Sequence, residues 1–313
     1  MNGLVVKSTG SWYLVRTADA QIYKCRIRGK FRIEEIKSTN PVAVGDIVDF
    51  DLEIKKETGV ITKIYERKNY IVRKSVNLSK QTHILASNVD RAFLLVTINN
   101  PPTFTSFIDR FLVSAEVYHI PVTILFNKID SFNKKLKVFK DELKEIYTRI
   151  GYQCIDISAK KGDNISIVKT LMKGKVSVFS GHSGVGKSTL INAIEPGLDL
   201  KTLEISEQHQ QGQHSTTFAE MYSLSFGGYI IDTPGIKGFG IVNVEKEEID
   251  GYFPEFYKLK QACKFNNCMH IEEPGCAIKS ALKDHTIAPS RYSSYLQIVN
   301  GEEAYFRKDI YDF

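Results

Sequence analysis

The chain has 313 residues, 42% of them hydrophobic and 25% charged, which is typical of a globular protein with two or three domains. Its longest apolar runs have the length of buried strands and are too short to cross a bilayer. The N-terminus lacks the apolar segment of a signal peptide, so we expect a cytoplasmic protein with no membrane partner. In that compartment the five cysteines are expected to be reduced or to bind a metal. The net charge of +6 only weakly favours an anionic partner.

The first 67 residues predict a small all-β domain. Apolar runs at 4–6, 12–15, 22–33, 47–50 and 60–64 are separated by turn signals, and about five closely spaced strands favour an OB-fold barrel. Along one strand, cations alternate with mostly apolar residues, which places five cations on the outer face: Lys24, Arg26, Arg28, Lys30 and Arg32. Such a face predicts contact with a nucleic-acid phosphate backbone. A solvated edge strand is the alternative.

From residue 84 onward, strands and helices alternate. Strands are predicted at 90–96, 121–126 and 153–158, with a helix at 105–118 and a second helix near 134–146. In the second helix the apolar face is predicted to contain Leu136, Phe139, Leu143 and Ile146, with Lys134, Lys135, Lys137 and Lys140 in solvent. This alternation predicts a mostly parallel sheet, in which ligands bind beyond the carboxyl ends of the strands.

Residues 181–188 read G-H-S-G-V-G-K-S and fit the phosphate-loop motif G-x-x-x-x-G-K-[ST], between a predicted strand at 175–180 and a helix from 188. Backbone N–H groups of such a loop bind phosphate oxygens. Lys187 is expected to contact the β- and γ-phosphates during catalysis, and Ser188 to bind Mg²⁺. The predicted nucleotide contacts are Gly181, His182, Ser183, Gly184, Val185, Gly186, Lys187, Ser188 and Thr189.

Two strand ends carry residues that select guanine. Residues 127–130 read N-K-x-D: Asp130 can accept both hydrogen bonds from the guanine edge, Asn127 braces the base and loop, and Lys128 covers the ring and sugar. Ser158, Ala159 and Lys160 follow the next strand, where a backbone N–H can meet guanine O6. GTP is therefore preferred to ATP. The alternatives are a helix N-cap for N-K-x-D and, if Asp130 does not read guanine, an ATP-dependent enzyme.

The γ-phosphate side of the site follows later in the chain. In D-x-x-G at 232–235, Asp232 is expected to hold Mg²⁺ through water, and the Gly235 amide to meet the γ-phosphate. Thr216, in the polar stretch 212–217, is the favoured further Mg²⁺ ligand, with Ser215 and Thr217 as register alternatives and an ordinary polar loop as another reading.

The residue after D-x-x-G is Ile236, where Ras-like enzymes have a glutamine that orients water. An isoleucine side chain cannot do this, so we expect slow intrinsic hydrolysis. The missing group is then expected to come from a residue of the polar stretch or from a bound partner. His214 is the candidate within the chain, and a solvated loop histidine is the alternative.

The guanine motifs precede the phosphate loop and D-x-x-G, whereas in an ordinary GTPase they follow them. The simplest explanation is a circular permutation of the same sheet. The segment after D-x-x-G then leads directly into the C-terminal region, which predicts that nucleotide state moves that region.

Near the C-terminus, four metal ligands lie within 14 positions: Cys263, Cys268, His270 and Cys276. Three thiolates and one imidazole predict a closed structural Zn²⁺ site. Reduced cysteines beside an unrelated histidine are the alternative. Tyr292, Tyr295, Leu296 and Val299 predict a helix that packs on this domain.

Together these motifs resemble the RsgA family of circularly permuted GTPases. The resemblance covers nearly the whole chain and divides it into an OB-fold RNA-binding domain (1–67), a permuted α/β P-loop GTPase domain (68–242) and a mostly helical zinc-binding domain (243–313). Ser215 departs from the threonine frequent in this family, which leaves the register of the Mg²⁺ ligand open.

The resemblance implies hydrolysis of GTP to GDP and phosphate, stimulated by the small (30S) ribosomal subunit late in its maturation. It also implies that the barrel and zinc domains bind 16S rRNA. We expect a monomer that uses GTP, Mg²⁺ and one Zn²⁺. The alternative is a GTP-gated RNA-binding placement factor in which hydrolysis is incidental.

Overall fold

In the computed structural model, eleven strands form one sheet that runs from a small barrel into an α/β domain. The structure describes residues 1–27, 41–53, 58–74, 82–198, 219–232 and 244–301. Within these ranges no helix combines the length and the apolar character that a bilayer span requires.

The barrel contains β1 (Asn2–Ser8), β2 (Tyr13–Arg16), β3 (Ile22–Ile27), β4 (Ile47–Glu53) and β5 (Thr58–Ile64). β1 pairs with both β2 and β4, so the order β1-β2-β3-β5-β4 closes on itself. Inward side chains such as Val5, Val15, Cys25, Phe50 and Ile61 are fully buried. The predicted five-stranded barrel is confirmed.

A hairpin of β6 (Tyr70–Lys74) and β7 (Thr82–Ser87) connects the barrel to the next domain, and sequence reasoning did not predict it. Its residues Ile71, Ile84 and Ala86 share one core with Val44 of the barrel region and Val89 before the next strand. The barrel is therefore joined to the α/β domain through continuous apolar packing.

The α/β domain begins with β8 (Arg91–Val96), α1 (Thr105–Val117), β9 (Val122–Phe126), α2 (Lys134–Ile150), β10 (Gln153–Asp156) and α3 (Ile165–Met172). It continues with β11 (Val176–Ser180), α4 (Lys187–Ile194), β12 (Glu220–Ser223) and β13 (Tyr229–Asp232). The strand order is β10-β9-β8-β11-β13-β12, and every pair is parallel except β12–β13. All five residues of β9 are buried, as expected for a strand covered by helices on both faces. The predicted parallel sheet is confirmed.

The C-terminal region contains a 3-10 helix (Lys246–Tyr252), α5 (Pro254–Leu259), a short 3-10 turn (Lys260–Ala262), α6 (Ala277–Lys283) and α7 (Pro289–Val299). Phe253, Phe256 and Tyr295 form its core, which also includes Val113 of α1. This mostly helical domain therefore packs directly on α1 of the α/β domain. The predicted link through residues 233–243 lies outside the described residues.

The predicted orientation of α2 is wrong at two positions. Phe139, predicted to be buried, is 53% exposed, and Lys140, predicted to be in solvent, is 3% exposed. The Lys140 Nζ donates to Asp156 Oδ2 at 2.7 Å and also to Asp141. These acceptors satisfy the buried ammonium and turn the neighbouring Phe139 outward.

Candidate nucleotide site and metal centre

The phosphate loop lies between the end of β11 and the start of α4, as predicted. Gly181, Gly184 and Gly186 have φ values of +149°, +74° and +99°. At Gly186, a Cβ would lie 2.5 Å from the Asn127 Nδ2. Glycine is thus required where this loop touches the guanine segment. The Lys187 Nζ donates to the carbonyls of Gly181 (2.8 Å) and His182 (2.7 Å), so its ammonium lies over the loop.

The side chain of Asn127 joins three segments of the site. It is 2% exposed, its Nδ2 donates to the Val185 carbonyl at 2.8 Å, and its Oδ1 accepts from the Ala159 N–H at 3.0 Å. The Lys128 Nζ donates to the carbonyls of Gly184 (2.7 Å) and Asn100 (2.6 Å). The guanine segments and the phosphate loop are therefore held together by the chain itself.

Asp130 lies at the surface beside Ser158. The Ser158 Oγ donates to Asp130 Oδ1 at 2.6 Å and accepts from the Lys161 N–H at 3.1 Å. This hydrogen bond from Ser158 lowers the pKa of Asp130. An ionised carboxylate has only acceptors, which is what the two donors of the guanine edge require.

Asp232 ends β13, which pairs in parallel with β11, so its carboxylate lies at the same sheet edge as the phosphate loop. Asp232 is 7% exposed, and burial, followed by the charge of the opposite Glu220, raises its pKa to about 6. A bound cation would offset that penalty. With Ser188 in the first turn of α4, the described residues fit part of a Mg²⁺ site.

Several predicted residues lie outside the described ranges. They are Arg28, Lys30 and Arg32 of the barrel, His214, Ser215, Thr216 and Thr217 of the polar stretch, and Gly235 and Ile236 after β13. Their roles stay predictions.

The sequence did not indicate two neighbours of the phosphate loop, Asn100 and Phe107. Asn100 supplies a carbonyl to Lys128, and the Phe107 ring centroid lies 3.8 Å from that of His182. Both residues follow β8, so their place after a strand at the carboxyl edge of the sheet was the available signal.

The barrel shows part of the predicted basic face. Lys24 and Arg26 are exposed on β3, with Cys25 buried between them. Arg26 Nη2 is paired with Glu53 Oε1 at 2.7 Å, while the Lys24 Nζ lies 4.6 Å from the centre of the Trp12 ring. The alternation is as predicted, but Glu53 partly neutralises Arg26.

The ligand atoms of Cys263, Cys268, His270 and Cys276 lie within 4.8 Å of one another. His270 Nδ1 is 3.4 Å from Cys276 Sγ and 3.7 Å from Cys263 Sγ. Burial raises the pKa of the Cys268 thiol to about 12, so its thiolate needs a nearby cation. Three sulfurs and one nitrogen at this separation fit tetrahedral Zn²⁺.

A second layer of contacts orients His270. Its Nε2 lies 3.2 Å from Asp250 Oδ2, and Lys260 Nζ donates to Asp250 Oδ1 at 3.1 Å. The Tyr292 hydroxyl donates to the His270 carbonyl at 2.6 Å. A proton on Nε2 that is donated to Asp250 leaves the Nδ1 lone pair facing the sulfurs. Sequence reasoning missed Asp250, because it lies 20 residues before the histidine that it orients.

Two family models match the chain: the RsgA N-terminal domain over residues 2–61 and the RsgA GTPase over residues 64–242. A small ribosomal subunit biogenesis GTPase RsgA from Christiangramia forsetii is 64% identical over 99% of both chains. Its counterpart from Flavobacterium johnsoniae is 63% identical over 99% of this chain and 96% of that protein.

Two solved structures are similar over nearly the whole chain. YjeQ from Thermotoga maritima has a TM-score of 0.78 and 34% identity, covering 96% of this chain and 97% of that one. YloQ, described as a circularly permuted GTPase, has a TM-score of 0.74 and 30% identity, covering 96% and 94%. The chain therefore belongs to the RsgA family of circularly permuted GTPases, and it is a GTP hydrolase.

Proposed function

We propose that this GTPase acts in the cytoplasm on the small (30S) ribosomal subunit, late in its maturation, and that the subunit stimulates hydrolysis. The names of relatives that match this chain end to end support the partner. The observation that carries the proposal is the connection of the guanine segments to the phosphate loop through Asn127 and Lys128. These hydrogen bonds hold the guanine segments and the phosphate loop together as one nucleotide site.

Guanine recognition depends on the ionised Asp130, which Ser158 holds in place. The carboxylate accepts from guanine N1 and its exocyclic amine, while a backbone N–H of residues 158–160 meets O6. Adenine lacks this donor pair, so GTP is preferred to ATP. Residues 181–189 surround the phosphates through backbone N–H groups.

Hydrolysis proceeds by in-line attack of water on the γ-phosphorus. The bond from this phosphorus to the bridging oxygen breaks, and GDP and phosphate leave. The Lys187 ammonium moves from its two loop carbonyls to the phosphate oxygens, where it neutralises developing charge. Mg²⁺, when bound by Ser188, Asp232 and Thr216, would neutralise the β- and γ-phosphate oxygens.

The chain lacks a glutamine after D-x-x-G, so intrinsic hydrolysis is slow. We assign the orientation of water to His214, aided by the bound subunit. Activation by the partner then increases the rate by about 10³–10⁵, by analogy with other GTPases.

The test is single-turnover GTP hydrolysis with no subunit, with small subunits and with large subunits as the matched control. Only small subunits are expected to accelerate the reaction, and the same rate with all three would contradict the partner. His214→Ala should lose most of this stimulation while keeping its GTP affinity. Full stimulation of the variant would exclude His214 as the residue that orients water.

A release experiment tests whether GTP hydrolysis triggers departure of the protein from the subunit or is incidental to that departure. Protein bound to small subunits is followed through release with GTP and with a non-hydrolysable analogue. We expect release only with GTP, and equal release with both would favour the placement factor.

The flanking domains supply the RNA contacts in this proposal. The outward cations of β3 and the residues after it bind 16S rRNA: Lys24, Arg26, Arg28, Lys30 and Arg32. The four ligands of the C-terminal cluster hold a structural Zn²⁺, which shapes the other RNA-binding end. We assign domain boundaries at 67/68 and 242/243, and a monomeric state.

A further inference from the structure

The solvent face of the first two turns of α2 exposes large apolar side chains. Val138 and Phe139 are each 53% exposed, whereas their neighbour Lys140 is 3% exposed. Burying an ammonium while leaving a phenyl ring in water opposes what stability alone would select. Departures of this kind are expected at functional surfaces.

This orientation is fixed by contacts at two points of α2. Lys140 Nζ donates to Asp156 at the end of β10 (2.7 Å), and the Tyr147 hydroxyl donates to Asp109 of α1 at 2.8 Å. Phe139 therefore cannot turn inward unless the helix rotates and breaks both contacts. The exposed ring is a stable property of the fold.

Lysines surround these two apolar side chains. Lys134, Lys135 and Lys137 are exposed in the first turns of α2, and the first turn contains no acidic residue. Cations there oppose the helix dipole, which favours acids at an N-terminus. Within the described part of the chain, Lys134 and Lys135 form no ion pair, and the nearby Asp141 is bonded to Lys140.

The spacing brings charge and apolar surface together. Val138 follows Lys134 by four positions, and Phe139 follows Lys135 by four, so each pair is adjacent on the helix surface. A protein partner is disfavoured because interface cores are depleted in lysine. Nucleic acid suits the combination, since lysines neutralise phosphates and aromatic rings stack on unpaired bases.

We propose that this α2 surface (Lys134, Lys135, Lys137, Val138 and Phe139) binds RNA of the small subunit. The inference rests on the proposed function and adds an RNA contact on the GTPase domain itself. Asn133, which caps α2, lies three residues after the guanine-reading Asp130. RNA bound here would contact the segment that holds the nucleotide, which provides a direct route for the subunit to influence it.

The test replaces the three lysines with glutamine (Lys134→Gln, Lys135→Gln and Lys137→Gln). The matched control is Lys169→Gln, Lys173→Gln and Lys175→Gln. It removes the same charge near the amino-terminal ends of the strands, where β11 begins. Binding to small subunits purified from Flavobacterium johnsoniae is measured with a non-hydrolysable GTP analogue over about 50–300 mM KCl. Affinity of each variant for a fluorescent GDP, in the absence of subunits, verifies folding.

The α2 variant should bind subunits about tenfold more weakly at low salt and show a salt slope smaller by about 2, because phosphate contacts are lost. The control should match the wild type in slope. Phe139→Ala should weaken binding about tenfold with an unchanged slope, and Phe139→Tyr should restore it, since the ring rather than a charge makes that contact.

Each other outcome overturns a different claim. If the wild type does not bind subunits, the proposed function fails and this inference fails with it. If the wild type binds and the α2 variant behaves like the control, only this inference fails. Weaker binding with an unchanged slope in the lysine variant would show that these lysines contact no phosphates, and would reject RNA binding at α2.

Discussion

The two ends of the molecule join the GTPase domain through different kinds of polar junction. At the barrel junction, the buried Asp46 carboxylate accepts from Arg67 Nε (2.7 Å), Arg67 Nη2 (2.6 Å), Ser87 Oγ (2.6 Å) and Ala43 N–H (2.8 Å). At the junction of the C-terminal domain, Arg291 Nη1 donates to Asp109 of α1 at 2.8 Å. Four hydrogen bonds from three residues surround Asp46. Asp109 is held by Arg291 and Tyr147, and Ser294 also favours its ionised form.

Backbone contacts extend the barrel junction. The Ser87 N–H of β7 donates to the Val44 carbonyl of the barrel at 2.9 Å. At Gly45, with φ +98°, a Cβ would lie 2.1 Å from the Ser87 carbonyl oxygen, so glycine permits this close approach. Several contacts therefore hold the barrel at this junction.

The junction of the C-terminal domain concentrates its polar contacts on Arg291, which is 1% exposed. Its Nε and Nη2 also bind Glu255 of α5, at 2.7 and 3.1 Å. Asp109 accepts from Tyr147 as well, but its Oδ2 has no hydrogen-bond partner among the described residues. The comparison indicates that losing one residue should damage this junction more than the barrel junction.

The largest effect is expected for Arg291→Ala, which leaves Asp109 buried without its cation. Breaking a buried ion pair in this way costs about 3–5 kcal/mol. Hydrogen–deuterium exchange of α7 and α1 should accelerate strongly, while exchange in the barrel should not change. This readout is local, as required in a chain with several domains.

Arg149→Ala is the matched control for Arg291, because Arg149 lies at the same junction but is exposed. Among the described residues its hydrogen bond is to the His285 carbonyl at 3.4 Å. It should alter exchange by less than about 0.5 kcal/mol. Equal effects of the two substitutions would mean that the apolar packing around Val113, not the ion pair, holds the C-terminal domain.

Asp46→Ala should have an intermediate effect of about 3 kcal/mol, the lower end of the range for breaking a buried ion pair, here with Arg67. The cost is lower because its donors keep other acceptors: Arg67 Nη2 also binds the Pro41 carbonyl (2.7 Å), and Ser87 Oγ also binds the Val44 carbonyl (3.3 Å). Hydrogen–deuterium exchange at β1 and β7 measures this loss of stability. A cost above that of Arg291→Ala would reverse the comparison.

Local spacing was enough to find candidate site residues that the structure places together. The phosphate loop, the 127–130 segment and the four metal ligands each lie within a short stretch, and their roles in binding stay predictions. Strand alternation likewise predicted the barrel and the parallel sheet. The features that the sequence did not predict depend on residues that are far apart in the chain.

Two examples show why distant partners escape prediction. The periodicity of α2 predicted that Phe139 is buried. Instead Lys140 is buried, because it is paired with Asp156, which lies 16 residues further along the chain. Arg291 and Asp109 are separated by 182 positions, and no local pattern connects them. Both are buried charge pairs, whose position depends on how the elements pack rather than on their own spacing.

The smallest effect is expected for Lys7→Gln, at the place where β1 of the barrel pairs with β12. Lys7 Nζ lies 2.7 Å from Glu220 Oε2, and the two side chains are 34% and 31% exposed. Such a pair contributes about 0–1 kcal/mol, and salt screens it. Exchange at β12 should therefore rise slightly at low salt, and the difference from the wild type should vanish at high salt. A salt-independent loss as large as that of Asp46→Ala would place the main attachment of the barrel at β12, because only a contact shielded from solvent resists screening.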